Sequence, residues 1–281
     1  MRVEDAGAED IRIEDWGERS GRLVAFGGLV SNRQAAEALL SRLDAEGLLA
    51  GAISTGDLAG YCADPVGTAG LVRTAGIRTV AGNCERGLAQ GADGCGCGFA
   101  AGSACDRISG PWWRHALDLM DDGTREWMDG LPGIGVLRHE GAVTAVIHGG
   151  VTNIARFLWP SDPDAAFAEE VIALEDAVGS PVDRVISGHC GIAFTRDVRM
   201  AGRRVQWINV GSAGMPPHDG RTETRFAVIE PDGMATIHRL AYDHRAAAAD
   251  MRVAGLNQGY DDALESGLWP SEDVLPPALR R

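Results

Sequence analysis

Short apolar runs alternate with helical patterns over the first part of the chain. The runs at residues 23–26, 52–55 and 78–81 predict strands, and a glycine follows each of them. Between them, apolar residues recur at helical spacing over residues 33–46 and 65–75, and Asn32 is the predicted cap of the first helix. Strands that alternate with helices predict an α/β fold.

The pattern changes in the middle of the chain. Residues 91–110 are rich in glycine and cysteine and show no periodicity, so we interpret residues 85–132 as an insertion or cap with two short helices. Further strands are predicted at residues 142–147 and 184–187. An antiparallel series is predicted at residues 194–200, 205–210, 226–230 and 236–240.

The two ends of the chain are predicted to lie outside the main domain, which covers residues 22–244. Residues 1–21 read as an acidic, loose lead-in to the first strand, and residues 245–281 as a polar helical tail. The start, MRVEDAGAEDIRIEDWGERSG, lacks the basic and apolar blocks of a secretory signal. No apolar run approaches the roughly 20 residues that cross a bilayer. We therefore expect a cytoplasmic protein with no membrane partner.

Charge and cysteine content narrow the function classes. The formal net charge is −14, which argues against binding to duplex nucleic acid, because that binding depends on Lys and Arg at the phosphates. Six cysteines in a chain without an export signal are expected to be free thiols or metal ligands. The sequence does not determine the oligomeric state, and a homo-oligomer is possible.

Four segments that follow predicted strands carry residue types that bind metals. In open α/β sheets, ligands bind beyond the carboxyl ends of the strands. One carboxylate, one amide oxygen and two imidazoles suit a divalent ion such as Mn, Fe or Zn. The segments are Gly56-Asp57, Gly82-Asn83-Cys84-Glu85, His148-Gly149-Gly150 and Gly188-His189-Cys190-Gly191.

In this order the segments resemble the motifs of the calcineurin-like metallophosphoesterases, particularly the small bacterial phosphodiesterases. That family reads D-x-H, G-D, G-N-H/C, H-G and G-H-x-H, each on a loop after a strand. Residues 209–214, Asn-Val-Gly-Ser-Ala-Gly, also resemble its N-P-G-S-x-G turn. The resemblance covers residues 22–230 and implies a four-layer αββα sandwich of two facing mixed β-sheets.

Two motifs of the family are incomplete in this chain. The D-x-H motif falls on Gly28-Leu29-Val30, and Gly191 stands at the second His of G-H-x-H. In the family these three positions hold one metal together with the shared Asp. The resemblance implies that the other metal keeps its whole ligand set, and we predict a mononuclear site. That set is Asp57, Asn83, His148 and His189.

The first functional hypothesis is a metal-dependent hydrolase that acts on a small phosphorylated substrate, a phosphodiester or a nucleotide. The predicted catalytic residues are Asp57, Asn83, His148 and Glu85. Cys84 stands where many relatives have a His that protonates the leaving group. The residues predicted to support the ligands or to contact substrate are Cys84, Cys190, Gly149, Asn32 and Arg156.

Two other functions stay open at this stage. A scaffold that binds a partner without catalysis would be favoured by an exposed apolar patch at Trp112, Trp113 and Trp127, although these side chains also suit packing within the cap. A mononuclear iron enzyme with non-hydrolytic chemistry is the third hypothesis, since two His and one Asp approximate the facial set that holds Fe(II).

The remaining cysteines allow a second metal site or cluster. Its candidate ligands are Cys84, Cys95, Cys97 and Cys105. Their spacing differs from the C-x2-4-C pairs of zinc motifs. The neighbouring glycines permit wrapping around an ion, and they also permit an ordinary loop with free thiols.

Overall fold

A computed structural model describes residues 11–281, which form two β-sheets and eight α-helices. The strands are β1 (Ile13–Arg19), β2 (Leu23–Phe26), β3 (Ala52–Ser54), β4 (Arg78–Thr79), β5 (Ile134–His139), β6 (Ala142–Val146), β7 (Arg184–Ser187), β8 (Ala193–Met200), β9 (Arg203–Val210), β10 (Thr224–Ile229) and β11 (Ala235–Leu240). The helices are α1 (Arg33–Ala45), α2 (Pro65–Thr74), α3 (Asn83–Gln90), α4 (Ala104–Leu119), α5 (Asp122–Asp129), α6 (Asp164–Val178), α7 (His244–Val253) and α8 (Tyr260–Ser266). Two 3-10 turns lie at Leu49–Gly51 and Pro277–Leu279.

Both sheets mix parallel and antiparallel pairs. One has six strands in the order β1-β5-β6-β7-β9-β8, and the other has five in the order β11-β10-β2-β3-β4. Strands β2, β3 and β4 run parallel, as do β6, β7 and β9. Each sheet therefore has a group of carboxyl ends from which loops with polar side chains can project to one side.

Apolar clusters show that the layers follow the order helices, sheet, sheet, helix. Leu23 and Ala25 pack in the cluster between the two sheets, whereas Val24 and Phe26 pack with α1 and α2, because successive side chains of a strand point to opposite faces. On the outer side of the six-stranded sheet, Phe167 of α6 belongs to the cluster that includes Trp207. The predicted four-layer αββα sandwich is confirmed.

The predicted lead-in is wrong for the residues that the structure describes. Residues 13–19 form β1, which pairs in parallel with β5 at the edge of the six-stranded sheet. Trp16 is 3% exposed and covers Gly135 so closely that a methyl group there would collide with the ring. Residues 1–10 lie outside the described part of the chain.

The predicted antiparallel series is divided between the two sheets. Strands β8 and β9 pair in the six-stranded sheet, and β10 and β11 pair in the five-stranded sheet. Strand β10 also pairs antiparallel with β2, so the chain crosses from one sheet to the other after residue 210. Strand β5 and helix α6 are further elements that the apolar pattern did not indicate.

The segment predicted as a cap folds with the C-terminal tail. Helices α3, α4 and α5 share one apolar cluster with α7 and α8. Trp112 and Trp113 are each 1% exposed, and Trp127 is partly buried, so these side chains pack within the cap and form no exposed patch. Within residues 11–281, no helix has the length and apolar character needed to span a membrane.

Candidate metal site

Four predicted ligands meet at the carboxyl ends of parallel strands from both sheets. Asp57 follows β3 and Asn83 follows β4, while His148 follows β6 and His189 follows β7. His148 Nε2 lies 3.3 Å from Asp57 Oδ2, 3.0 Å from Asn83 Oδ1 and 3.0 Å from His189 Nδ1. Among the His, Cys, Asp and Glu side chains of residues 11–281, three converge as a possible ligand group, namely Asp57, His148 and His189.

The orientation of His148 follows from its other ring nitrogen. Nδ1 lies 2.7 Å from the carbonyl oxygen of Thr55. A carbonyl can only accept, so Nδ1 carries the proton and donates it to this bond. In the neutral ring, Nε2 then presents its lone pair to the three neighbouring ligand atoms, which is how histidines are fixed as metal ligands.

Asn83 is fixed in the same way by its amide nitrogen. Nδ2 donates to the carbonyl oxygen of Cys95 at 2.9 Å and lies 3.4 Å from Cys97 Sγ. The amide oxygen is therefore the atom that faces His148. An amide oxygen and a carboxylate oxygen can only accept, so they fit a cation at their centre. The donor set thus suits a divalent metal.

Backbone strain and a buried carboxylate shape the loop that carries Asp57. Asp57 has a left-handed backbone with φ of 56°, a conformation that surrounding contacts must hold in place. Glu85 Oε2 accepts from the N–H of Asp57 at 2.7 Å and of Gly82 at 2.8 Å, while Oε1 accepts from Leu58 at 2.8 Å. Glu85 therefore holds the loop that carries Asp57, and its predicted catalytic role stays a prediction.

Burial and mutual charge set the protonation of the ligands. Burial is the largest single influence on Asp57 and would raise its pKa, but the charge and hydrogen bond of His148, together with the charge of His189, outweigh it and the pKa is lowered. Burial likewise would lower the pKa of His148, but the charge and hydrogen bond of Asp57 outweigh it and the pKa is raised. Burial, together with the charge of His148, lowers the pKa of His189 to about 3, so this ring stays neutral and can bind a metal.

The three positions that lack the family's ligands lie beside the site. Gly28, Val30 and Gly191 line the same cavity as Asp57 and His189. A Cβ at Gly191 would stand 3.2 Å from the ring of Trp269, and φ there is +75°, so the C-terminal tail covers the place where the second His would begin. The side chains at these positions offer no metal-binding atom.

Two residues of the set predicted to support the ligands or to contact substrate are held by other partners, and for Asn32 this is the predicted capping role. Asn32 Oδ1 accepts from the N–H of Ala35 at 3.0 Å, and its Nδ2 donates to Gly214 at 2.8 Å, so it caps α1. Arg156 donates to Glu170 at 2.5 Å and to Glu169 at 2.7 Å, so its charge is already paired.

Three other predicted residues lie close to the ligands. Gly149 allows a close approach of the backbone, because a Cβ there would lie 3.2 Å from His189 Cβ and would collide with Ile154. The N–H of Cys84 donates to Asp57 Oδ1 at 3.1 Å. Cys190 lines the cavity, and burial raises the pKa of its thiol to about 12.

The predicted cysteine site is not formed, which is a correction. In the described part of the chain, no three cysteine sulfurs converge as a ligand group. Cys95 and Cys97 pair with each other across Gly96, while Cys84 and Cys105 are buried free thiols. Burial, followed by the charge of Asp57, raises the pKa of Cys84, which keeps it protonated.

Several residues around the ligands carried no signal in the sequence. Thr55 fixes His148 through its carbonyl group, which any residue type could supply. The Phe157 ring lies 4.4 Å from that of His189 between centroids. Tyr61 reaches the cavity from the loop between β3 and α2, whereas Tyr260 and Trp269 reach it from the tail, and only the tertiary fold brings them together.

Comparisons with known proteins identify the fold. No protein-family model and no curated protein matches the chain. The structure of a metallophosphoesterase from Sphaerobacter thermophilus matches with a TM-score of 0.65 and 21% identity, over 88% of this chain and 99% of its own. A hypothetical protein from Pyrococcus horikoshii OT3 matches with a TM-score of 0.68 and 13% identity, over 89% and 99%. The chain has the metallophosphoesterase fold, as the order of its motifs predicted.

Proposed function

We propose that this chain, with its metallophosphoesterase fold, is a metal-dependent hydrolase of a small phosphodiester that works with one divalent ion. The observation that carries the proposal is the convergence of acceptor atoms around His148 Nε2. Asp57, Asn83 and His189 each present such an atom within 3.3 Å of that nitrogen. Mn, Fe and Zn are the ions that this mixture of oxygen and nitrogen suits.

The proposal of a single ion rests on the three positions beside the site. Gly28, Val30 and Gly191 supply no side-chain oxygen or nitrogen, and they line an open cavity beside Asp57 and His189. A two-metal clamp needs ligands for a second ion about 3.5–4 Å from the first. In this chain the corresponding space is free for part of a substrate.

A bound ion would supply an activated water and would polarise a phosphoryl oxygen. The chain's own residues hold the geometry. Cys84 fixes one oxygen of Asp57 through its N–H, which leaves Oδ2 directed at the ligand group. In the hydrolysis, the water oxygen forms a bond to phosphorus, the ester P–O bond breaks, and the leaving alcohol takes up a proton. The walls of the cavity limit the access of other water.

Elemental analysis of the purified protein tests the site directly. We expect about one equivalent of metal per chain in the wild type and a large loss in Asp57→Ala, because a buried ligand is removed. Asp118→Ala is the matched control, since Asp118 is an exposed carboxylate on α4. Hydrolysis of bis(p-nitrophenyl) phosphate with Mn, Fe or Zn should follow the metal content. One equivalent of bound metal in Asp57→Ala, as in the wild type, would contradict the assignment of the ligands.

The ligand group also supports a second candidate function. One carboxylate and two imidazoles are the set that holds Fe(II) in oxygen-using enzymes, and Asp57, His148 and His189 converge in this combination. Oxygen consumption that requires Fe(II), together with an absence of phosphodiester hydrolysis by any of the three metals, would favour this candidate over the hydrolase.

A further inference from the structure

We propose that the cavity beside the ligand group binds an aromatic ring of the substrate, so that the enzyme prefers phosphodiesters with an aryl group over those with small alkyl groups or polyphosphates. This inference rests on the proposed phosphodiesterase function. It concerns the part of the substrate that lies where the ligands of a second metal are missing.

The cavity is partly enclosed and continuous with the metal ligands. It holds about 80 Å³, whereas roughly 10–15 Å³ is enough for one water molecule. Asp57 and His189 stand at one side of it, and Gly28, Val30 and Gly191 belong to its wall. The remaining wall is mainly aromatic or apolar, with Tyr61, Phe99, Phe157, Met215, Tyr260, Trp269 and Val274.

Stacking among neighbours makes two of these aromatic walls rigid. Phe157 stacks on Trp159 with centroids 5.2 Å apart and planes 3° apart, and its ring also contacts that of His189. On another side, Tyr61 stacks on the buried Trp112 with centroids 4.5 Å apart. Flat faces that are already held in position lose little conformational entropy when a planar group packs against them.

Trp269 forms a third wall, and hydrogen bonds fix it in place. Its Nε1 donates to the carbonyl oxygen of Pro216 at 2.7 Å, and its backbone N–H donates to His218 Nδ1 at 2.8 Å. The ring lies over Gly191, within 3.4 Å of the position that a Cβ would take. The tail thereby replaces a missing metal ligand with an indole face.

The charge of the lining excludes polyphosphates as preferred substrates. The chain contains no lysine, and no arginine among residues 11–281 lines the cavity. Asp57 and His189 are its titratable side chains besides cysteines and tyrosines. Sites that bind several phosphates use Arg or Lys to neutralise them. A substrate that combines a singly charged phosphodiester group with an apolar ring matches this lining.

The test compares two esters with the same leaving group. Bis(p-nitrophenyl) phosphate and methyl p-nitrophenyl phosphate differ in the group that stays on phosphorus, a ring in one and a methyl in the other. After correction for their uncatalysed rates, we expect kcat/KM to favour the aryl ester by about tenfold or more, from the burial of one ring. ATP should be hydrolysed more slowly than either ester.

Two variants and a matched control locate the preference. Trp269→Ala and Phe157→Leu should each reduce the aryl-to-methyl ratio by several fold, and Phe157→Leu keeps the apolar volume in case Trp269→Ala fails to fold. Trp127→Ala is the control, because Trp127 is a partly buried tryptophan that lies outside the cavity lining. An unchanged ratio in both variants, or equal wild-type rates for the two esters, would overturn the inference.

A binding measurement separates this inference from the proposed function. If neither ester is hydrolysed, the phosphodiesterase proposal fails, and calorimetry on metal-loaded protein with diphenyl phosphate and dimethyl phosphate decides the inference. Tighter binding of diphenyl phosphate, weakened in Phe157→Leu, would support an aromatic subsite. Equal binding of the two, or binding of neither, would reject it.

Discussion

Glu85 is completely buried, and its two carboxylate oxygens accept hydrogen bonds from the N–H groups of Asp57, Leu58 and Gly82. These bonds join the loop after β3 to the start of α3, and therefore join two of the candidate metal ligands. Burial and the nearby charge of Asp57 raise the pKa of Glu85, while its backbone partners oppose that rise. A residue that touches no ligand atom thus controls where a ligand stands.

Replacing Glu85 with Gln should weaken both the fold and the metal site. The amide nitrogen would meet an N–H donor, so we expect a loss of about 1–3 kcal/mol in the free energy of unfolding. Metal affinity should fall as well, because the Asp57 loop is no longer held. Urea unfolding and metal titration measure the two effects.

Glu37→Gln is the control for this variant. Glu37 is an exposed residue of α1 that pairs with Arg33 at 2.8 Å. Such surface pairs contribute about 0.2–1 kcal/mol, so this variant should keep its metal affinity and nearly all of its stability. Similar losses in both variants would show that Glu85 does not hold the loop.

The four unpaired cysteines should resist thiol reagents in the folded protein. Cys62, Cys84, Cys105 and Cys190 are buried, and burial raises the pKa of each thiol. The thiolate is the reactive form, so modification at pH 8 should be slow until a denaturant is added. Mass spectrometry after alkylation identifies the modified residues. Rapid labelling of Cys62 in the native protein would contradict its burial, since Cys62 lies outside the cavity lining.

At the residue scale, the sequence predicted which side chains converge better than it predicted the roles of their neighbours. The order of Asp57, Asn83, His148 and His189 after strands was enough to predict that they meet. For Arg156 the sequence left a substrate contact and an ion pair both open, because its partners Glu169 and Glu170 lie on α6, a helix that the apolar pattern did not indicate. A charged side chain is assigned to substrate or to an ion pair only when its neighbours are known.

Capping at Asn32 determines how α1 begins. Its side chain accepts from Ala35 and also donates to the carbonyl oxygen of Gly214, which belongs to a distant loop. Asn32→Ala should therefore reduce the free energy of unfolding by more than the roughly 1 kcal/mol of an ordinary cap, because a buried carbonyl is left without its donor. Metal content should stay unchanged. Asp243→Ala, which removes the exposed cap of α7, should cost only the ordinary amount.

Strand β1 depends on Trp16 for its place at the edge of the sheet. This side chain is 3% exposed and packs in the cluster between the sheets. Trp16→Ala should reduce the free energy of unfolding by about 3–5 kcal/mol, as in other large-to-small changes in a core. Leu119→Ala, at a residue that is 50% exposed, should have little effect. Denaturant unfolding measures both, and equal small effects would mean that β1 does not support the fold.

At the element scale, the reliability of the prediction followed the strength of the apolar signal. Residues 23–26 and 184–187 match their strands at both ends, since these strands are buried throughout. Strand β1 was missed because Trp16 is its single buried side chain, and the acidic residues around it face outward. Its partner β5 begins more than a hundred residues later, a pairing that local pattern cannot reveal.

The candidate metal ligands come from both sheets of the sandwich. Asp57 and Asn83 follow strands of the five-stranded sheet, whereas His148 and His189 follow strands of the six-stranded sheet. A bound ion would therefore connect the two sheets at one end. Loss of the ion should loosen the contact between the sheets as well as remove activity.

Thermal unfolding with and without metal tests this coupling. At a free metal concentration of 100 times Kd, binding to the folded state adds about 2.7 kcal/mol to the free energy of unfolding. We expect Tm to rise when the bound metal is supplied and to fall with a chelator. Asp57→Asn should lose this response and Asp118→Ala should keep it. A Tm that changes neither with added metal nor with chelator would argue against a bound ion.

For the whole molecule, the motif order predicted the αββα layers, and the strand pattern alone did not. The apolar pattern predicted one antiparallel series of strands from residue 194 onward, and the structure divides these strands between two sheets. The cavity beside the ligands could not be predicted, since the cap, the tail and the sheet edge each provide part of its wall. Residues so distant in sequence show no shared pattern until the chain is folded.

The packing of Trp269 on Gly191 restricts the side chains that position 191 can accept. A His there would need both a left-handed backbone and part of the space that the indole ring occupies. An Asp at position 28 would place its Cβ 3.2 Å from Ser212 Oγ, at φ of +41°. Each of these substitutions alone should lower the free energy of unfolding. Ligands for a second ion, if added one at a time, would therefore reduce stability before any ion could offset the loss.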